Sequence, residues 1–162
     1  MLMGARDVAS CLSSAWKLSS GGGDADDFVR ALQRRGEQVS TDMNAMDVAN
    51  SLGIVAKLGK LMDTGFARAL QTRGAIVAVS MNARDVASSL SAIGKLGANV
   101  DSDFVQALQQ RGMSVSTSMN AMDVANSLAV VAKLGEVANG RFARALQQLH
   151  LRVRAARTHS SG

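Results

Sequence analysis

Residues 43–52 read MNAMDVANSL, and this stretch returns as MNARDVASSL at 81–90 and unchanged as MNAMDVANSL at 119–128. A degenerate copy, MGARDVASCL, occupies 3–12. The three clear copies follow one another at intervals of 38 residues. Units of about 20–50 residues bury their apolar faces by stacking on neighbouring units. We therefore predict a repeat protein that presents a long surface in place of one central pocket. All four phenylalanines recur at the same interval, as Phe28, Phe66, Phe104 and Phe142.

The first half of each unit is predicted to be a helix. Asn44 is a preferred N-cap, and Asp47, three residues later, can return a hydrogen bond to it. Apolar residues then follow helical spacing until a Lys-Leu-Gly ending at Gly59, where glycine can adopt the left-handed conformation that ends helices. This pattern predicts a helix over 45–58. The same Asn-x-x-Asp pair recurs as Asn82/Asp85 and Asn120/Asp123.

A second helix is predicted in the second half of each unit. In the second unit it carries Phe66 and is expected to end at Arg73-Gly74, by the same cation-then-glycine logic. The Val/Ser stretches that follow, at 75–80 and 113–118, alternate enough for a short strand but are better explained as extended connectors. The equivalent endings elsewhere are Arg35-Gly36 and Arg111-Gly112.

Together these signals predict an all-α fold, a right-handed α-α solenoid of four helix-turn-helix repeats of 38 residues. The complete absence of proline agrees with a mostly helical chain. A single repeat domain is expected over 1–158, and Leu149-His150 replaces the Arg-Gly ending, so the last helix should continue as a cap. The predicted units are about 3–42, 43–80, 81–118 and 119–157, with a disordered tail at 158–162.

The composition argues against several classes of protein. Cys11 is the only cysteine, and with His150 and His159 it makes no metal-ligand spacing, which argues against disulfide scaffolds and metal sites. The sequence contains no apolar run of the length that a membrane span needs. No nucleophile, base or acid forms a catalytic group, so we expect no enzyme, no cofactor and no small-molecule substrate.

The net charge of +5 is concentrated in one part of the chain. Residues 1–118 carry 12 basic and 11 acidic side chains, whereas residues 119–162 carry six and two. Net charge therefore predicts a basic C-terminal end, which could attract nucleic acid or an acidic partner, and not a uniformly basic array. The basic tail residues are Arg152, Arg154 and Arg157.

The stretch 44–59, NAMDVANSLGIVAKLG, resembles the octotricopeptide repeat, a 38-residue helical repeat whose units commonly read NPQELANxLWALAxLG. The resemblance extends over 82–97 and 120–135, and weakly over 4–18, with alanine in place of the family's proline. It implies a divergent member of a family that binds single-stranded organellar RNA, in transcript processing and translation or as subunits that hold fragmented ribosomal RNA. It therefore implies a mitochondrial or plastid location. A repeat begins almost at the first residue, so any transit peptide was either removed or never present.

One lysine in each unit is a candidate phosphate ligand. On a helical wheel, Asp47, Asn50, Ser51, Ile54 and Lys57 fall opposite the apolar stripe. Stacked units would place the equivalent lysines in a row, about 10 Å apart, which suits a phosphate backbone. The alternative is that a cation in the last turn simply stabilises a helix end. Both interpretations apply to Lys17, Lys57, Lys95 and Lys133, and to Arg35, Arg73 and Arg111.

Residues that read bases should face the same way but differ between units. The candidates are short amides and hydroxyls able to hydrogen-bond a base edge, and the residue one turn earlier also varies. Such side chains are equally ordinary on a solvated helix face. The phenylalanines are expected in the core, which leaves no exposed aromatic row for base stacking. The candidates are Ser10, Asn50, Ser88 and Asn126, preceded by Arg6, Met46, Arg84 and Met122.

Trp16 stands where the other units have Ala56, Gly94 or Ala132. Because no unit precedes the first, we expect its ring either to cap the array or to contact another protein. The leading hypothesis is an RNA-binding subunit of an organellar ribonucleoprotein, such as a mitochondrial ribosome subunit that stabilises ribosomal RNA, or an RNA-processing factor. The alternative is a protein-binding scaffold or accessory subunit of a large organellar complex, and a fragment of a longer repeat protein is a third possibility.

Overall fold

A computed structural model describes residues 2–19, 23–135 and 138–159, with Ala98 described by its backbone only. Every regular element in these ranges is helical and none is a strand, which confirms the all-α prediction. Short 3-10 turns follow most of the helices. The α-helices are α1 (Ala5–Leu18), α2 (Asp24–Val39), α3 (Ala45–Val55), α4 (Thr64–Val77), α5 (Ala83–Leu96), α6 (Ser102–Val115), α7 (Ala121–Lys133) and α8 (Gly140–His159).

The odd-numbered helices, here called A helices, and the even-numbered helices, called B helices, pack in a regular way. Each A helix contacts the B helix that follows it, and it also contacts the next A helix. Each B helix likewise contacts the next B helix. A core of Val, Leu, Ala and Met side chains runs through these contacts without interruption.

The predicted starts of the A helices are confirmed, whereas α3 ends at Val55, before the predicted end at residue 58. The Asn44 side chain accepts a hydrogen bond from the Asp47 N–H at 2.9 Å, and the Asp47 carboxylate accepts one from the Asn44 N–H at 3.3 Å. Asn82 and Asp85 form the same pair, and Asn120 accepts from the Asp123 N–H. At the other end, positive φ angles of 56°, 61° and 57° occur at Gly59, Gly97 and Gly135.

The predicted ends of the B helices are wrong. Gly74 lies inside α4, which continues to Val77 before a 3-10 turn over Ala78–Ser80. The stretch at 113–118 behaves in the same way, so neither region is a strand or an extended connector. The last helix does continue past His150, as expected, and it includes Thr158 and His159, which we had assigned to a disordered tail. Residues 160–162 lie outside the described residues.

The glycines inside the B helices provide space for phenylalanine rings. A Cβ atom at Gly36 would lie 2.5 Å from Phe66 Cε2, and one at Gly112 would lie 2.6 Å from Phe142 Cε2. These phenylalanines are fully buried, as predicted. Phe28 is not: it is 51% exposed, because α2 has no preceding described B helix to offer a glycine. The third pair of this kind is Gly74 and Phe104.

Candidate nucleic-acid interface

The four lysines proposed as a row are all exposed. Three of them lie in the last turn of α1, α5 and α7, and Lys57 lies in the turn directly after α3. Each A helix therefore carries one exposed ammonium group at or just after its C-terminal end. The lysines are Lys17, Lys57, Lys95 and Lys133.

A groove of about 270 Å³ crosses three A helices and joins two of these lysines to two of the base-facing candidates. Lys57 lines it from the end of α3, Ser88 and Lys95 line it from α5, and Asn126 lines it from α7. Asp123 also lines the groove, so its charge is mixed at one end. The arrangement offers two cations for phosphates beside a hydroxyl and an amide that can hydrogen-bond a base edge.

A second groove lies between α1 and α3 and holds the other two base-facing candidates. Ser10 lines it from α1 and Asn50 lines it from α3. Arg6 and Met46, the variable residues one turn earlier, line the same groove. All four proposed base-facing residues are therefore exposed, and they lie in two grooves on the A-helix side.

The helical-wheel prediction for α3 was partly wrong. Only Asn50 and Lys57 of the five predicted surface residues are exposed. Asp47, Ser51 and Ile54 are buried, because α3 is flanked by α1 on one side and by α5 on the other. A helical wheel with one apolar stripe cannot represent α3, because this helix packs against two A helices and one B helix.

The three arginines have a structural partner inside the protein. Each donates a hydrogen bond from Nε to the backbone carbonyl of the methionine just before an A helix, and each is half-buried. This bond ties the C-terminal part of a B helix to the start of the A helix of its own unit. The donor nitrogen is then not available to a phosphate. The pairs are Arg35 to Met3 at 2.9 Å, Arg73 to Met43 at 2.8 Å and Arg111 to Met81 at 2.7 Å.

Sequence reasoning missed a set of buried glutamines. Gln71 is 1% exposed; its Nε2 donates to the Asn99 carbonyl at 2.8 Å, and its Oε1 accepts from the Asp101 N–H at 2.7 Å. Gln33 makes the same two bonds to Leu61 and Asp63. The Asn139 N–H donates to the side chain of the third member, Gln109. The sequence does contain a signal for this set, because the three glutamines recur at intervals of 38 residues.

Trp16 is half-buried against the core, and Lys57 Nζ lies 5.4 Å from the centroid of its ring. At that distance the cation and the ring attract each other. The equivalent glycine, Gly94, faces Val130 of the next A helix. The position therefore points toward the following unit, and our explanation through a missing preceding neighbour was wrong.

The basic tail residues Arg152, Arg154 and Arg157 are exposed on the last turns of α8. In the described ranges, no three His, Cys, Asp or Glu side chains come close enough to hold a metal ion. No described helix has the length and apolar character that a membrane span requires.

Comparisons with known proteins give no match: no protein-family model, no curated protein and no solved structure is similar to this chain.

Proposed function

We propose that the chain is a right-handed α-α solenoid of four 38-residue units that binds single-stranded RNA along its A helices. The observation that carries this proposal is the position of four exposed lysines, one at or just after the end of each A helix. Two of them, Lys57 and Lys95, line a groove together with polar side chains. Lysine acts on a phosphate backbone as a point charge, which supplies affinity without sequence information.

The grooves favour the A-helix face for this role. Both grooves that hold the base-facing candidates are lined by A helices, and each A helix contacts the next one. A face with one exposed cation at the end of each A helix suits an extended, flexible polyanion.

The cellular role follows from the resemblance to the octotricopeptide repeat. We assign the chain to an organellar ribonucleoprotein, in mitochondria or plastids, where it holds ribosomal RNA or another transcript. Other protein subunits of that assembly are its remaining partners.

A protein-binding scaffold is the second candidate, favoured by exposed apolar side chains on the B helices and the turns that follow them. Phe28 is 51% exposed, and Ile76 and Val79 beside the end of α4 are 64% and 72% exposed. Exposed apolar surface of this kind is typical of protein interfaces. Trp16 contributes less to such a surface than expected, because its ring is half-buried and covered by Lys57.

The test is a salt titration of the binding of a labelled single-stranded RNA. Four neutralised phosphates should give a log–log slope of about −2.8, at about 0.7 for each contact. Substituting glutamine for all four lysines should bring the slope close to zero. The matched control removes four exposed cations from the B helices, at Arg30, Arg34, Arg68 and Arg144, and should leave the slope largely unchanged. An unchanged slope in the lysine variant would favour the scaffold, and equal losses in the two variants would contradict the lysine row.

A further inference from the structure

The exposed face of the A helices carries two sets of side chains that alternate along the chain. Within the ten-residue stretch that defines the units, 43–52 and 119–128 are identical, and 81–90 differs from them at two positions only. Both positions are exposed in every unit. A third variable position follows three residues later, on the same side of the helix. The sets are Arg6, Ser10 and Ser13 in α1; Met46, Asn50 and Gly53 in α3; Arg84, Ser88 and Ser91 in α5; Met122, Asn126 and Ala129 in α7.

The two sets lie next to each other in the structure. In the groove between α1 and α3, Arg6 and Ser10 from one set line the same space as Met46 and Asn50 from the other. In the groove across α5 and α7, Ser88 lies with Asn126. A strand laid across the A helices would therefore meet the two sets in strict alternation.

The chemistry of the two sets differs in a way that distinguishes bases. An arginine guanidinium can donate two hydrogen bonds to O6 and N7 of guanine. An asparagine amide can pair with N6 and N7 of adenine, and a methionine offers a soft apolar surface to the ring. These base edges are open in unpaired RNA.

We propose that this chain recognises single-stranded RNA in which guanine and adenine alternate, with α1 and α5 taking guanine and α3 and α7 taking adenine. This inference rests on the proposed RNA binding, and it adds the sequence class of the ligand. Helical repeats that read one base per unit with two or three side chains provide the general precedent.

The experiment compares two twelve-nucleotide RNAs of the same composition, r(GA)6 and r(GGAA)3, by fluorescence anisotropy in lithium buffer. Every window of four nucleotides in r(GGAA)3 has two bases out of place, in either direction of binding, whereas r(GA)6 always offers a full match. Because each mismatched base weakens specific binding severalfold, two mismatches should make r(GA)6 bind at least about tenfold more tightly than r(GGAA)3.

A reader-swapped variant tests whether these side chains are responsible. Arg6→Met, Ser10→Asn, Arg84→Met and Ser88→Asn give all four A helices methionine and asparagine at the first two positions of the set, and these exposed positions are not used by the core. This variant should prefer r(A)12 over r(GA)6, reversing the order expected for the original chain.

The outcomes separate the two proposals. Equal affinity of the original chain for r(GA)6 and r(GGAA)3, with the lysine-dependent salt slope intact, would overturn the alternation and leave RNA binding standing. A preference for r(GA)6 that survives in the variant would also overturn it, since other residues would then be reading the bases. No binding to any RNA would remove the proposed function itself.

Discussion

The ring of Phe66 fills the space that a side chain at Gly36 would need, since a Cβ atom there would lie 2.5 Å from Cε2 and Cζ of the ring. Gly36 lies inside α2 and Phe66 lies in α4, so this contact joins the B helices of successive units. Two further pairs, Gly74 with Phe104 and Gly112 with Phe142, repeat it along the chain. Glycine weakens a helix, but at these positions it is needed so that the phenylalanine of the next unit can pack against the helix.

Alanine at Gly36 should destabilise the protein, although alanine favours helices over glycine by about 1 kcal/mol. The added methyl group has to displace a buried ring, and overpacking of this kind typically costs about 1–3 kcal/mol. The control is Gly53→Ala in α3, where nothing lies within 4 Å of the new Cβ. That change should be neutral or stabilise the protein. Urea unfolding measures the change in the free energy of unfolding for each variant. A change of the same sign in the two variants would contradict the packing role of Gly36.

Leucine at Gln71 should destabilise the link between α4 and the loop before α6. The substitution leaves the Asn99 carbonyl and the Asp101 N–H without their partner, at an expected cost of about 1–3 kcal/mol. Gln147, the equivalent residue in α8, is exposed, so Gln147→Leu serves as the matched control and should change the unfolding free energy little. The measurement is thermal unfolding of the two variants. Similar melting temperatures for Gln71→Leu and Gln147→Leu would contradict the structural role of the Gln71 hydrogen bonds.

Methionine at Arg73 should lower stability and leave RNA binding intact. The change keeps the apolar stem but removes the Nε hydrogen bond to the Met43 carbonyl, which should cost about 1–3 kcal/mol. Arg68→Met, at an exposed position of the same helix, is the control for the loss of charge. A reduced salt slope for RNA binding with unchanged stability would instead show that Arg73 is a phosphate ligand.

Restoring the Arg-Gly pair at Leu149-His150 should make the protein self-associate. His150 stands where the other B helices have the glycine that receives a phenylalanine, and Phe28 is exposed without such a glycine. In the variant Leu149→Arg with His150→Gly, Phe28 of one copy can enter α8 of another, and such head-to-tail contacts form open chains. Light scattering should show a mass that rises with concentration more steeply than for the original chain, and adding Phe28→Ser should abolish this difference. A double variant that does not self-associate would show that glycine at position 150 is not sufficient to create a binding site for the Phe28 ring.

The local signals in the sequence predicted the A helices well. Asn44 and Asp47 specify a helix start through contacts within four residues, and Gly97, with its positive φ, directly follows the end of α5. Such features need no knowledge of the tertiary structure. They also placed all four lysines on the surface correctly.

The long-range contacts of the B helices were missed because their partners are far apart in the sequence. Arg73-Gly74 has the composition of a helix end, yet the arginine bonds to a carbonyl 30 residues earlier and the glycine receives a ring 30 residues later. Local rules cannot distinguish these roles from helix termination. Gln33 and Gln71 recur at a fixed interval, and this recurrence is the sequence signal for a further contact between units.

The most direct test of the central claim is to locate bound RNA on the protein. A single-stranded RNA containing 4-thiouridine at several positions would be cross-linked to the full chain by light, and the attached peptides would be identified by mass spectrometry. We predict cross-links in α1, α3, α5 and α7, near Lys57 and Lys95 above all. Cross-links confined to the B helices, or to the basic end of α8 around Arg152 and Arg154, would contradict the account.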